Sequence, residues 1–146
     1  MLPTFLLDNI EGFIYPQIVT SPDSESRIRW CGDSNGIIRK WPEGVRFNIG
    51  GDLERLDNRQ EPLDFGPMGH VLPGVYELRD RDPNCWYRLL YIHLEGLIYV
   101  LHCFTKTTNQ TAQSDINIAR DRLKILNEEI SERQKEAKRG KGKKHR

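Results

Sequence analysis

Three cysteines in 146 residues, Cys31, Cys85 and Cys103, are too few and too far apart for a disulfide framework. There is no Cys-x-x-Cys pair. The four histidines, His70, His93, His102 and His145, show no His-x-x-x-His spacing, so no metal and no cofactor is expected. Long apolar runs are also missing. The longest, Leu97 to Leu101, falls far short of the roughly 20 residues that span a bilayer. The stretch Met1-Leu2-Pro3-Thr4-Phe5-Leu6-Leu7-Asp8 has no basic leader and meets an acid early, which makes a poor signal peptide and points to the cytoplasm, with no membrane partner. An excess of charge is absent too: the formal net charge is +1, so any nucleic-acid site must be a local patch, because a global field is lacking.

The charge that exists is unevenly spread. From Arg133 to Arg146 the chain carries eight Lys or Arg, and without that tail the remainder is net acidic. Residues 133–146 therefore read as a basic, disordered tail. Residues 1–26 read as an N-terminal extension, with a short strand or hairpin at the domain edge. They are apolar from Phe5 to Val19, broken by Gly12 and Pro16, and end in a polar loop at Ser21–Ser26. Between them, residues 27–132 are long enough for one domain with a modest core.

Within that domain Arg27 to Cys31 alternates polar and apolar, as a strand does. A short helix through Ile37, Ile38 and Trp41 must stop before Pro42, whose ring disfavours helix in the preceding residue. Pro42-Glu43 can open a second helix, because proline suits the first turn and an acid suits the positive end of the dipole. Val45, Ile49, Leu53 and Leu56 then form one stripe through about Arg59. Gly50-Gly51 weakens that helix by about 2 kcal/mol relative to two alanines, and close approach to a sheet is the expected reason. Glu61–Pro73 reads as a loop. Strands follow at about 75–80, 86–92 and 97–104, then a helix from Asp115 into the 130s with Ile116, Ala119, Leu123, Leu126 and Ile130 inward. The class is α+β: a small twisted antiparallel sheet, covered on one face, with two N-terminal helices and a C-terminal helix.

Each of the three strands ends on or near a cation: Arg79, Arg88 and Lys106. On adjacent antiparallel strands these converge on one rim, and a row of cations there suits a phosphate backbone. Glu77 shares a face with Arg79, being two residues away. Arg79 and Arg88 also have a structural use open to them, as ion pairs with Glu77, Asp80 or Asp82. His102, inside an apolar strand, is either a buried histidine with a backbone partner or an acid or base. Tyr76, Tyr87, Tyr91 and Tyr99 read as packing.

The order of elements, with Arg39-Lys40-Trp41-Pro42-Glu43-Gly44-Val45-Arg46, Gly74-Val75-Tyr76-Glu77-Leu78-Arg79, Tyr87-Arg88 and Val100-Leu101-His102-Cys103-Phe104-Thr105-Lys106, resembles the RelE/ParE toxin superfamily, specifically its phage-derived, HigB-like branch. Thr108, Thr111, Ile116, Ala119 and Arg122-Leu123 extend the resemblance. It implies a RelE-like fold and a toxin of a type II toxin-antitoxin system. The activity implied is that of a metal-independent endoribonuclease cutting mRNA, mostly on the ribosome, by attack of a ribose 2′-OH on the adjacent phosphate. The partners implied are mRNA, the ribosome and a cognate antitoxin of helix-turn-helix, HigA-like type. Arg88 and Lys106 match the branch's phosphate-binding cations, Arg79 joins them, and His102 is a candidate acid or base. Lys106, Thr107 and Thr108, with Lys138, Arg139 and Lys141 of the tail, are the candidate RNA contacts. The chain departs from the branch where two expected cations are Thr107 and Gln110 and a proline is Ala112. Each missing cation removes about 2–4 kcal/mol if it acted on the transition state. The alternative is a non-catalytic protein, either a ParE-like gyrase inhibitor or a degenerate phage-derived binding protein.

Overall fold

The computed structural model describes residues 26–108 and 110–144, with side chains as far as Gly140. The expectation for the N-terminal extension thus lies outside the described residues. The elements run β1 (Ile28–Trp30), α1 (Ser34–Ile38), α2 (Glu43–Asp57), β2 (Phe65–Pro67), β3 (Val75–Arg81), β4 (Trp86–Leu94), β5 (Leu97–Lys106) and α3 (Gln113–Lys144). The fold is α+β, with a mostly antiparallel five-stranded sheet in the order β1-β5-β4-β3-β2. Among the described strands only β1, parallel to β5, departs from the antiparallel pattern.

The sheet is covered on both faces, which corrects the one-face expectation. Ile38, Val45, Ile49, Leu53 and Leu56 of α1 and α2 pack with Leu78, Leu89, Tyr91, Ile98 and Val100 in one core. Ile116, Ala119, Leu126 and Ile130 of α3 pack with Val75, Leu90, Ile92, Tyr99 and Leu101 in a second. This is why β4 and β5 read as nearly continuous apolar runs: Tyr87–Ile92 and Ile98–Phe104 are buried without a break. A strand with one wet face would alternate.

Three other details depart from the sequence reading. β2 lies inside the expected loop and pairs Phe65 with Leu78 and Pro67 with Tyr76. Pro67 is tolerated because an edge strand has an unpaired side where the missing N–H costs nothing. α3 continues through Lys144, so the segment from Arg133 to Lys144 is helical rather than disordered. Finally, a Cβ built on Gly51 meets nothing within 4 Å, so close approach to the sheet does not explain that glycine. Gly51→Ala is therefore expected to stabilise the domain by about 0.5–1 kcal/mol, read as a higher urea midpoint at unchanged m.

Candidate functional site

Side-chain parity decides which residues meet. On β3 and β4, Val75, Leu90 and Ile92 face α3, so Glu77, Arg79, Arg81, Trp86 and Arg88 share that face by alternation. On β5 simple alternation from Ile98 and Val100 would turn His102 toward α1 and α2. It does not, because the β4–β5 register shifts: Leu90 pairs with His102 and Tyr91 with Val100, leaving Leu101 as the extra residue of a bulge. Leu101 and His102 both face α3, and Phe104 and Lys106 follow on that face. The bulge re-aims the last five residues of β5.

The result is a cluster beyond the first turn of α3. Arg79 and Arg88 are directly opposite one another across β3 and β4. Like charges in that position are destabilising and need compensation. Arg88, 5 % exposed, has Glu77 Oε1 at 2.8 Å from its Nε, although that N–H is not aimed at the oxygen. It donates from Nη1 to the Tyr87 carbonyl at 3.1 Å, and its guanidinium lies 5.1 Å from the Trp86 ring centroid. Arg81 lies 5.0 Å from the same centroid. Arg79 turns toward β2, pairing with Asp64 Oδ1 at 3.1 Å and donating to the Phe65 carbonyl. Of the three carboxylates open to the arginines on the sequence, Arg88 takes Glu77, while Arg79 takes Asp64, which the sequence does not suggest.

Burial lowers the affinity of Arg88 for its proton, with Arg79 adding to the effect and Glu77 opposing it. Lys106 is lowered from the ordinary lysine value by burial first and by Arg88 second, again against Glu77. It donates to Thr111 Oγ1 at 3.2 Å. The sign follows: below its folded pKa the ammonium is held at a cost, so this group's contribution to stability rises with pH between the folded and unfolded values. Anything that needs the charged Lys106 falls away at lower pH than an ordinary lysine would require. Thr107 and Thr108 are exposed beside it.

His102 is 5 % exposed and stacks on Phe104 with ring centroids 5.2 Å apart. Its Nε2 is 2.8 Å from Asp115 Oδ1, and its Nδ1 is 3.5 Å from Arg122 Nη1. Because a guanidinium only donates, Nδ1 accepts and the ring proton sits on Nε2, directed at Asp115. Arg122 also donates to the Leu101 carbonyl at 2.9 Å and to Asp33 Oδ1 at 2.7 Å. His102 thus joins α3, β5 and the turn before α1.

The other candidate contacts do not converge here. Lys138 and Arg139 are exposed on α3, about 35 Å along the axis from Asp115 at 1.5 Å per residue. The side chain of Lys141 lies outside the described residues. Among the described residues no three His, Cys, Asp or Glu converge as metal ligands, and no helix is long and apolar enough to cross a membrane. A cleft of about 410 Å³ lies elsewhere, lined by Tyr76 and Tyr91 from the opposite face of the sheet. It holds none of the cluster.

Sequence reasoning placed Glu77 on this face and offered it as an ion-pair partner, which Arg88 takes up, but passed over Arg81 and Trp86. Their signal was period-two spacing with Arg79 and Arg88.

A mixed sheet between helical layers, carrying an arginine-rich patch at one strand end, defines a small α+β protein. Residues 37–124 match the profile of the family described as Phage derived protein Gp49-like (DUF891), and the chain belongs to that family. The match runs from the end of α1 to the middle of α3 and includes Arg79, Arg88, Lys106 and His102. No curated protein and no solved structure gives a significant match.

Proposed function

We propose that this chain is a RelE/HigB-like toxin, a metal-independent endoribonuclease acting on mRNA at the ribosome and restrained by a helix-turn-helix, HigA-like antitoxin. The observation that carries the reading is the directly opposed pair Arg79 and Arg88, with Lys106 on the same face. A sheet tolerates such a pair where an anion completes it, and Asp64 and Glu77 stand in for that anion in the free protein.

In this reading a ribose 2′-oxygen attacks the adjacent phosphorus. The O2′–P bond forms, the P–O5′ bond breaks, and a 2′,3′-cyclic phosphate and a 5′-hydroxyl result. Arg88, with Arg79, holds the charge that builds on the phosphorane. Glu77, the carboxylate beside Arg88, takes the 2′ proton once a phosphate replaces it on the guanidinium. Lys106, whose lowered pKa makes it a better proton donor than an ordinary lysine, protonates the 5′-oxygen. His102, buried and engaged at both nitrogens, serves to hold α3 on β5. The antitoxin would cover the patch.

Induction of the gene alone in a heterologous bacterium tests this. The expected result is growth arrest within minutes and new, codon-phased mRNA 5′ ends bearing hydroxyls. In vitro, cleavage should persist in chelator. Its alkaline limb should lie below the ordinary lysine range and move up in Lys106→Arg. Unchanged growth with intact mRNA would overturn the proposal. A second reading, a binding protein without chemistry, is favoured by the uncharged, exposed Thr107 and Gln110. Arrest without cleavage, with inhibited gyrase supercoiling, would establish its ParE-like form.

A further inference from the structure

α3 outruns the domain. Among the described side chains its last buried residue is Ile130, yet the helix continues 14 residues to Lys144, roughly 21 Å more. Residues 131–140 are all exposed, and Ala137 is the only apolar side chain among them. A helix this polar has no face for a membrane or for a partner helix. Among the described side chains two exposed ion pairs, Glu132 with Lys135 and Glu136 with Arg139, lie along it and contribute little, and Arg133 hydrogen-bonds back to Tyr99 of β5. The extension also lies beyond the stretch matched to the Gp49-like family, which ends at Lys124.

Its cations are not scattered. Arg120, Lys124, Lys135, Lys138 and Arg139 recur at three, four and eleven residues, so they fall on one flank of the helix, interrupted by Glu128. Arg120 fixes which flank this is, because its Nη2 donates to the Val71 carbonyl at 3.1 Å, in the connection between β2 and β3. The flank therefore looks over the β3 side of the sheet, the side that carries Arg79 and Arg88. A trough of about 670 Å³ runs along it, with the cations Arg120, Lys124 and Lys135 and the carboxylates Glu128 and Glu132 in its lining, so that a polyanion there would displace Glu132 from Lys135.

We propose that this flank is a second binding site, an anchor for single-stranded RNA that continues from the strand held at Arg79, Arg88 and Lys106. The assignment of RNA rests on the nuclease reading; the existence of a polyphosphate track rests on the helix itself. From Asp115 to Lys135 is about 30 Å. A stacked strand at about 3.4 Å per nucleotide needs roughly ten nucleotides to reach from the rim to the far cations.

Length dependence supplies the test. Binding of 2′-O-methyl RNA, which cannot be cleaved, is measured against salt for a tetranucleotide and for a strand of about ten nucleotides. The proteins are wild type and the triple variant Lys135→Gln/Lys138→Gln/Arg139→Gln. The variant should lose about 2 from the logarithmic salt slope on the longer strand and bind the tetranucleotide, roughly 14 Å long at that spacing, as wild type does. An unchanged slope on the longer strand would overturn the proposal, as would an equal loss on the tetranucleotide. An equal loss on duplex DNA would overturn the assignment to single-stranded RNA. If neither protein cleaves unmodified RNA yet the length-dependent loss is seen, the nuclease reading falls and the anchor stands.

Discussion

Arg88→Ala is expected to lose RNA cleavage by about 10²–10³-fold, the effect of removing one transition-state donor. The same substitution should cost about 3 kcal/mol of stability, because it strands Glu77 in a site where only 15 % of its side chain meets water. The two losses separate. Arg88→Ala/Glu77→Ala removes the uncompensated charge as well, so the urea midpoint should recover most of the way while cleavage stays lost. Arg88→Lys keeps the charge but gives up the planar fork against Trp86 and the Tyr87 carbonyl, and should fall between the two in rate. Cleavage by Arg88→Ala within threefold of wild type, at a temperature where it is folded, would remove Arg88 from the chemistry.

The second large effect is expected far from the cations, at Gly32. Its φ is +55°, in the left-handed region that side chains resist. A Cβ built there would stand 2.4 Å from the Arg122 guanidinium carbon. Arg122 has little room to give, since it is tied to Asp33, the Leu101 carbonyl and His102. Gly32→Ala should cost about 2–4 kcal/mol, combining the backbone penalty with broken charged hydrogen bonds. Denaturant unfolding measures it. If the Arg122 junction also seats α3, amide exchange along Asp115–Leu126 should accelerate in the same variant beyond what global destabilisation predicts. Loss of under 0.5 kcal/mol would mean that Arg122 moves aside freely.

Much of this architecture is written in local patterns. The α2 stripe, the proline stop before it and four of the five described strands follow from period and turn chemistry alone. β2 does not, because three residues, Phe65–Pro67, carry a glycine and a proline and owe their structure to the edge of β3 rather than to propensity. The second covered face was present as unbroken burial in β4 and β5, but an apolar run does not say what covers it. The position of His102 was hidden for another reason: the Leu101 bulge reverses its face, and a bulge leaves no mark in a run of apolar residues. The cation cluster was legible because Arg79, Arg88 and Lys106 each lie near a strand end; Arg79 and Arg88 share a face by parity, while Lys106, like His102, owes its face to the bulge. Its carboxylate was named too, but which arginine Glu77 pairs with follows only from the register that sets Arg88 across from Arg79.

The parallel pairing of β1 with β5 has a consequence for the order of folding. Ile28 lies opposite Ile98, so the first of the described strands to be synthesised waits some 70 residues for its partner. Arg122 must then arrive to close over Gly32 and Asp33. Loop-closure entropy and high contact order both slow such a step. A chain still being translated therefore holds an antiparallel meander without its edge strand or its covering helix. For a protein whose proposed target is the translating ribosome, the site is completed only after nearly the whole domain has left the machine that made it.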